Sequence, residues 1–357
     1  MVFAKRIDHL KAYKTETSPA KVKLSSNELP YDLPEELKAK IKEEIAKIPF
    51  NRYPDPYATE LREILAKLWK VKPENIILGN GSDELIFYLA IAIGENYEAI
   101  AYPIPTFPMY RVVADTLGRP VYEVPLNEDL DLDESRFAEI LENYKPALMF
   151  ISYPNNPTGN LFSKEKLNRL RKLVSLMVSD EAYYDFSGES YIEKALDPSE
   201  NIVVLRTLSK IGLASLRVGA LIADENFIKE LFKVKLPFNI TYPSQVIAKV
   251  VLTEGLDFIK WAVKQVISER ERLLKELQKM EGIKVFPSKA NFFLFKTPFD
   301  ADTVHKKLLE KGVLIRNVSY LPGLEGCLRV NIGKPEENNI FLETLERVLR
   351  ELKSSKR

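Results

Sequence analysis

Val174-Ser175-Leu176-Met177-Val178-Ser179-Asp180-Glu181-Ala182-Tyr183 is the stretch that decides how this chain folds. Its first six residues form a short apolar run, and the run ends in a carboxylate. A strand covered on both faces reads as a run of this kind. Similar runs occur at 75–78, 99–102, 121–124 and 148–152 before it, and at 203–205 and 219–223 after it. Each is expected to be a buried strand. Helical patterns at 164–173 and 227–234 join several of them. The expected fold is therefore α/β, with a mostly parallel seven-stranded sheet and helices on both faces. Such sheets bind ligands at the carboxyl ends of their strands, so the residues after each run are the candidates for a site.

Outward from this centre the pattern changes. Leu37, Ile41, Ile45 and Ile48 share one helical face, as do Leu61, Ile64, Leu65 and Leu68. Between them Asn51-Arg52-Tyr53-Pro54-Asp55-Pro56 holds two prolines too close for a helix. Past Pro237 one long helical stretch is expected at 244–280. Strand-like runs follow at 283–286, 291–295, 313–316 and 328–332, with helices at 301–311 and 336–352. This predicts a large domain at 31–240 and a smaller α/β domain at 241–357, with residues 1–30 as an arm packed on the smaller one.

Bulk properties narrow the function. The 357 residues are 45% hydrophobic and 29% charged, an ordinary globular composition. Lys plus Arg (52) and Asp plus Glu (51) nearly cancel to a net charge of +1, so no strong field points to nucleic acid or an anionic membrane. The single cysteine, Cys327, has no internal disulfide partner, which fits a reducing cytoplasm. His9 and His305 show no metal-ligand spacing, and no metal is expected. The N-terminal residues lack the apolar core of a signal peptide. The most apolar run, 85–93, is far short of the ~20 residues of a membrane helix.

Five segments carry the chemistry. Gly79-Asn80-Gly81-Ser82-Asp83-Glu84 follows a strand and opens an apolar helix, whose free N–H groups suit a phosphate. It is neither a dinucleotide fingerprint nor a Walker loop, and by itself it is also what an ordinary capped turn looks like. Pro105-Thr106-Phe107-Pro108-Met109-Tyr110 offers an aromatic for stacking on a flat ligand, or simply for the core. Pro154-Asn155-Asn156-Pro157-Thr158-Gly159 is a rigid turn presenting the Asn156 amide. Asp180 is set to accept from a protonated ring nitrogen, and Tyr183 to donate to a phenolate oxygen; helix capping and packing are the plain alternatives. Arg206-Thr207-Leu208-Ser209-Lys210, with Arg217 beyond it, joins a nucleophilic lysine to hydroxyls and a guanidinium that grip phosphate. Phosphate donors, a stacking ring, a carboxylate for a pyridine nitrogen and a lysine for an aldehyde are together the parts that pyridoxal phosphate needs.

These segments, in this order, resemble those of the fold-type I aminotransferases of class I/II, over nearly the whole chain. The segments Lys23-Leu24-Ser25-Ser26-Asn27-Glu28-Leu29-Pro30-Tyr31, Arg52-Tyr53-Pro54-Asp55 and Cys327-Leu328-Arg329-Val330 are similar to those of its histidinol-phosphate family. The resemblance implies that Lys210 holds the cofactor as a Schiff base and shuttles a proton, and that Asp180 keeps the ring nitrogen protonated. It implies that Asn156 and Tyr183 bind the ring oxygen and that Phe107 stacks on the ring. Gly81, Ser82, Asp83, Thr207, Ser209 and Arg217 would surround the cofactor phosphate. Tyr53 would reach that phosphate from a second subunit, so a homodimer with shared sites is implied. For the substrate it implies Arg329 as the carboxylate ligand, Arg316 and Tyr13 as phosphate ligands, and Asn27 and Asn156 beside them. One departure stands out: Arg217 lies one position nearer Lys210 than in many members, so the loop 211–216 must be tighter.

The reaction implied is transamination between L-histidinol phosphate and 2-oxoglutarate, giving imidazole-acetol phosphate and L-glutamate, within histidine biosynthesis. An aromatic-amino-acid aminotransferase or a threonine-phosphate decarboxylase would keep the same cofactor residues. A cofactor-binding regulator would usually add a DNA-binding module, and nearly all of this chain is spent on the enzyme fold. A dehydrogenase is disfavoured because the glycine fingerprint is missing.

Overall fold

A computed structural model describes residues 2–12 and 17–355. Its strands are β1 (Val22–Lys23), β2 (Ile76–Asn80), β3 (Ile100–Ile104), β4 (Val121–Pro125), β5 (Leu148–Ser152), β6 (Leu176–Asp180), β7 (Ile202–Thr207), β8 (Val218–Ile222), β9 (Lys284–Val285), β10 (Phe292–Lys296), β11 (Val313–Leu314), β12 (Arg316–Asn317) and β13 (Cys327–Asn331). The seven apolar runs become one seven-stranded sheet in the order β2-β8-β7-β6-β5-β3-β4. Only β8 runs against its neighbours; the other pairs are parallel.

Strand side chains alternate between faces, and both faces are covered. Met149, Ile151, Met177 and Val204 join one core with Leu61, Phe137, Leu167 and Val251 from helices on that side. Leu148, Phe150, Val178 and Leu205 join the other with Leu85, Leu89, Tyr110 and Val113. This double burial is why the strands read as continuous apolar runs. β4, an edge strand with β3 as its sole neighbour, departs from the expected buried strand: Val121 and Tyr122 are half-exposed and only Val124 is buried.

The remaining strands build smaller sheets. β12-β13-β10-β9 is antiparallel, and β1 pairs in parallel with β11. Phe293, Phe295, Leu328 and Val330 bury against Val266, Leu273, Val304, Phe341 and Leu345 of three helices, and Val22 and Leu24 of the N-terminal segment join them. Two local expectations are corrected. The stretch 244–280 is two helices, Tyr242–Glu254 and Leu256–Gln278, separated by Gly255, where a side chain would strike Leu37 and the Val251 carbonyl. The run 313–316 is divided: β11 pairs with the N-terminal segment and β12 with β13.

Register aligns the sheet's working edge. Ser152 pairs with Asp180, Asp180 with Leu205, Thr207 with Gly219, and Asn80 with Val218. The segments singled out in the sequence therefore emerge side by side.

Candidate active site

A cavity of about 360 Å³ opens at that edge, walled by the large sheet's strand ends, the segment Ser25–Glu28, and Arg316 and Arg329 of the smaller sheet. At one end the helix Gly81–Ala92 presents its first turn, with Ser82 and Asp83 on the wall. Thr207 and Ser209 lie there too, their hydroxyls hydrogen-bonded to each other. Arg217 takes a left-handed conformation (φ 53°) and aims its guanidinium at Asp83, Nη2 to Oδ2 3.0 Å. Gly81 is next to the wall rather than part of it. Its N–H donates to the Arg217 carbonyl at 2.7 Å, and a side chain on it would collide with the Arg217 guanidinium. A helix start, two hydroxyls and a guanidinium make a site for a phosphate dianion.

In the middle lies Asp180, buried at the end of β6. Tyr110 donates to its Oδ2 at 2.7 Å, while its Oδ1 is buried without a hydrogen-bond partner. Burial, the largest influence, pushes this carboxyl up to about 6, and the Tyr110 hydroxyl and the Ala182 N–H pull it part of the way back. Tyr110 is itself fixed by stacking on Phe150, with centroids 4.8 Å apart, and Phe107 meets its edge while lining the cavity.

Lys210 enters from the turn after β7, its Nζ 5.7 Å from the centroid of the Tyr183 ring. Asn27 donates to the Tyr183 hydroxyl at 2.9 Å, which leaves that hydroxyl's own proton for another acceptor. Asn27 is held in turn by Asn291 and Asn331. Arg329 donates Nη1 to Asn156 Oδ1 and Nη2 to the Ser25 carbonyl, both at 2.7 Å. With Oδ1 taken, Asn156 offers its Nδ2 as a donor. Arg316 faces Arg329 directly across the β12–β13 ladder, and both line the cavity. Like charges opposite one another are unfavourable, so an anion between them would be strongly held.

Of the residues singled out in the sequence, Tyr53 is not on this wall. It is 78% exposed and stacks on Phe238 at 4.5 Å. Tyr13 lies outside the described residues. Sequence reasoning gave no role to Tyr110, although it lies three positions past Phe107. It also passed over Asn155, whose amide ties Pro105, Thr106 and Thr158 into one loop cluster. Among the described residues no His, Cys, Asp and Glu cluster could hold a metal, and no helix is long and apolar enough to cross a membrane.

Residues 19–345 match the family model described as aminotransferase class I and II. The chain is 57% identical to the histidinol-phosphate aminotransferase of Aquifex aeolicus over 350 residues, 98% of this chain and 99% of that one. It is 52% identical to the histidinol-phosphate aminotransferase of a Hydrogenobaculum species, again over 98% of this chain and 99% of the other. A crystal structure of the histidinol-phosphate aminotransferase from Sinorhizobium meliloti, in complex with pyridoxal-5'-phosphate, superimposes with a TM-score of 0.86 at 21% identity, covering 98% of each chain.

Proposed function

Because this chain belongs to the class I and II aminotransferases, and within them to the histidinol-phosphate aminotransferases, we propose that it transfers the amino group between L-histidinol phosphate and 2-oxoglutarate, giving imidazole-acetol phosphate and L-glutamate in histidine biosynthesis. The cofactor of this family is pyridoxal 5'-phosphate, and the cavity suits it. The buried Oδ1 of Asp180 needs a donor such as a ring N–H, and Gly81 clears the space in which the Arg217 guanidinium sits beside the helix start. When bound, the cofactor supplies an aldehyde that takes the donor's amino group and a protonated ring that draws in the electrons of the donor's C–H bond.

The roles that the family resemblance implies fit the chemistry of these residues. Lys210 Nζ would hold the cofactor's aldehyde and would serve as the base for the proton on the donor's amine-bearing carbon. Asp180 Oδ1 would accept from the ring N–H. Asn156 Nδ2 and the Tyr183 hydroxyl would donate to the ring oxygen, and Phe107 would lie against the ring. Ser82, Thr207, Ser209 and Arg217 bind the cofactor phosphate, with Gly81 and Asp83 shaping that end. Asn27 orients Tyr183 and borders the substrate. Arg316 and Arg329 bind the substrate's phosphate or glutamate's carboxylate, and Tyr13 would join them.

The wider reading keeps the division at residues 30 and 240, a cytoplasmic location, and a homodimer in which Tyr53 of one copy serves the cofactor phosphate of the other. The single observation that carries the substrate assignment is the in-register pair Arg316 and Arg329 on the same cavity wall as Lys210. A charge-assisted bond to phosphate contributes about 1.5–3 kcal/mol. Arg316→Ala should therefore lower kcat/KM for histidinol phosphate roughly tenfold or more, with a much smaller loss for unphosphorylated histidinol. An equal loss for both donors would remove the phosphate role. Borohydride reduction and peptide mapping of the holoenzyme should leave the pyridoxyl group on Lys210.

A further inference from the structure

Two charges in the middle of this fold touch neither the cavity nor the solvent. Glu181 and Arg206 have side chains 0% and 5% exposed, and they face each other at 3.3 Å. The alternation that turns Asp180 and Thr207 toward one face turns these neighbours to the other. Every lone-pair direction of the Glu181 carboxylate is occupied. Oε1 accepts from Ser179 Oγ (3.1 Å) and the Tyr191 N–H (2.7 Å), and Oε2 from Ser190 Oγ (2.6 Å) and Arg206. The Arg206 guanidinium lies over the Tyr184 ring, 3.6 Å from its centroid, and also donates to Ser190 at 2.9 Å.

We propose that Glu181 and Arg206 are positioning residues, a clamp behind the sheet that fixes Asp180, Tyr183 and Thr207 relative to one another and so sets how tightly and at what angle the cofactor is held. The clamp grips three site-bearing neighbours at once. Glu181 follows Asp180, Arg206 precedes Thr207, and Tyr184, beneath the guanidinium, follows Tyr183. The Glu181 N–H also donates to the Leu205 carbonyl at 2.9 Å, extending the β6–β7 ladder past Asp180. Stability alone is a poor account of such a pair, because apolar side chains of similar size often serve a core as well as a buried ion pair. A fully satisfied network instead fixes geometry, and a site tolerates little displacement of the groups that hold its ligand.

The inference rests on the cofactor reading above. Its test uses the full-length protein, stripped of cofactor and reconstituted with pyridoxal phosphate, as wild type, E181Q, R206K and the double variant E181L/R206M. Three quantities are read: the thermal midpoint of the apoprotein, the cofactor Kd, and the visible circular dichroism of bound cofactor, which follows the ring's orientation. The double variant should keep an apoprotein midpoint close to wild type. Its cofactor Kd should rise roughly tenfold or more, the scale on which partners behind a ligand act, and the dichroic band should weaken. R206K, which keeps the charge without the planar stack, should fall between. E181Q should weaken binding even if the double variant does not fold. Wild-type Kd and dichroism in the folded variants, or loss of the folded apoprotein in all of them, would overturn the assignment and leave the pair a stability element. Failure of the wild type itself to take up the cofactor would sink the functional reading first.

Discussion

Asp180 has two carboxylate oxygens in different circumstances: Oδ2 is engaged by Tyr110, and Oδ1 is buried with no partner. Burial raises the carboxyl from 3.8 to about 6. Below the lower value both the folded and the unfolded chain hold the proton. Between the two values the folded chain keeps it and the unfolded chain has lost it, so this group makes the apoprotein less stable as pH rises through that window, by roughly 3 kcal/mol in all. A ring N–H on Oδ1 favours the ionised form and offsets that cost. Tyr110→Phe removes a donor that favours the ionised form, which should raise the carboxyl by about one to two further pH steps. At pH 7 the variant's carboxyl would be largely protonated, and cofactor affinity should fall severalfold, up to about tenfold. Near pH 9 both proteins are ionised and the gap should close. Fluorescence titration with pyridoxal phosphate at the two pH values checks this, and a gap of equal size at both would show that Tyr110 acts by shape alone. That Asp180, Lys210 and Arg217 would come together was legible in the sequence, because residue type and strand-end position single them out, and all three line the cavity. Tyr110 bonds to a residue 70 positions away, and no sequence spacing encodes that pairing.

At the scale of elements, the end of the cavity proposed for the cofactor phosphate depends on how closely the helix Gly81–Ala92 lies on the sheet. Gly79 and Gly219 face each other across the β2–β8 ladder. A side chain at Gly79 would strike Leu85 of that helix, and one at Gly219 would strike the backbone of Gly81 and Ser82. Backbone cannot swing aside as a rotamer can, so Gly219→Ala should push the helix start away from Thr207 and Arg217. Overpacking of this kind costs about 1–3 kcal/mol. The variant should lose cofactor affinity roughly tenfold or more and melt lower. Gly323→Ala is the control: unlike Gly219, Gly323 has a left-handed backbone (φ 77°), but nothing lies within 4 Å of it, so the change should strain a turn and leave cofactor affinity unchanged. Cofactor titration and thermal unfolding of both variants separate the two cases. The large sheet was legible because burial on both faces writes each strand as an apolar run. The break at Gly255 was not, because it depends on the approach of Leu37 from a distant helix, and the division of 313–317 was not, because two different strands recruit its halves.

At the scale of the whole molecule, the chain leaves an apolar surface beside its own site. Phe50, Tyr53, Tyr57, Leu236 and Phe238 are all exposed. Tyr53 stacks on Phe238, and Lys235 donates to the Pro56 carbonyl, so the loop 51–57 lies on the segment 232–238. Asn239, next in the chain, donates to Glu84 in the first turn of the helix Gly81–Ala92. The patch thus adjoins the end of the cavity proposed for the cofactor phosphate, yet Tyr53 is not on the cavity wall of its own chain. Clusters of exposed aromatic side chains mark surfaces that meet a partner, and a twofold pair would bring each patch against the other. If Tyr53 serves the neighbouring site, Lys210→Ala and Tyr53→Ala subunits should each be impaired alone and should complement when exchanged. In a hybrid dimer the intact Lys210 of one subunit would meet the intact Tyr53 of the other, while the second site would carry both lesions. Equal mixing makes half the dimers hybrids, each with one good site of two, so activity should recover to about a quarter of wild type. If Tyr53 served its own subunit, every site in the mixture would carry one lesion or the other, and exchange verified by mass spectrometry would restore nothing.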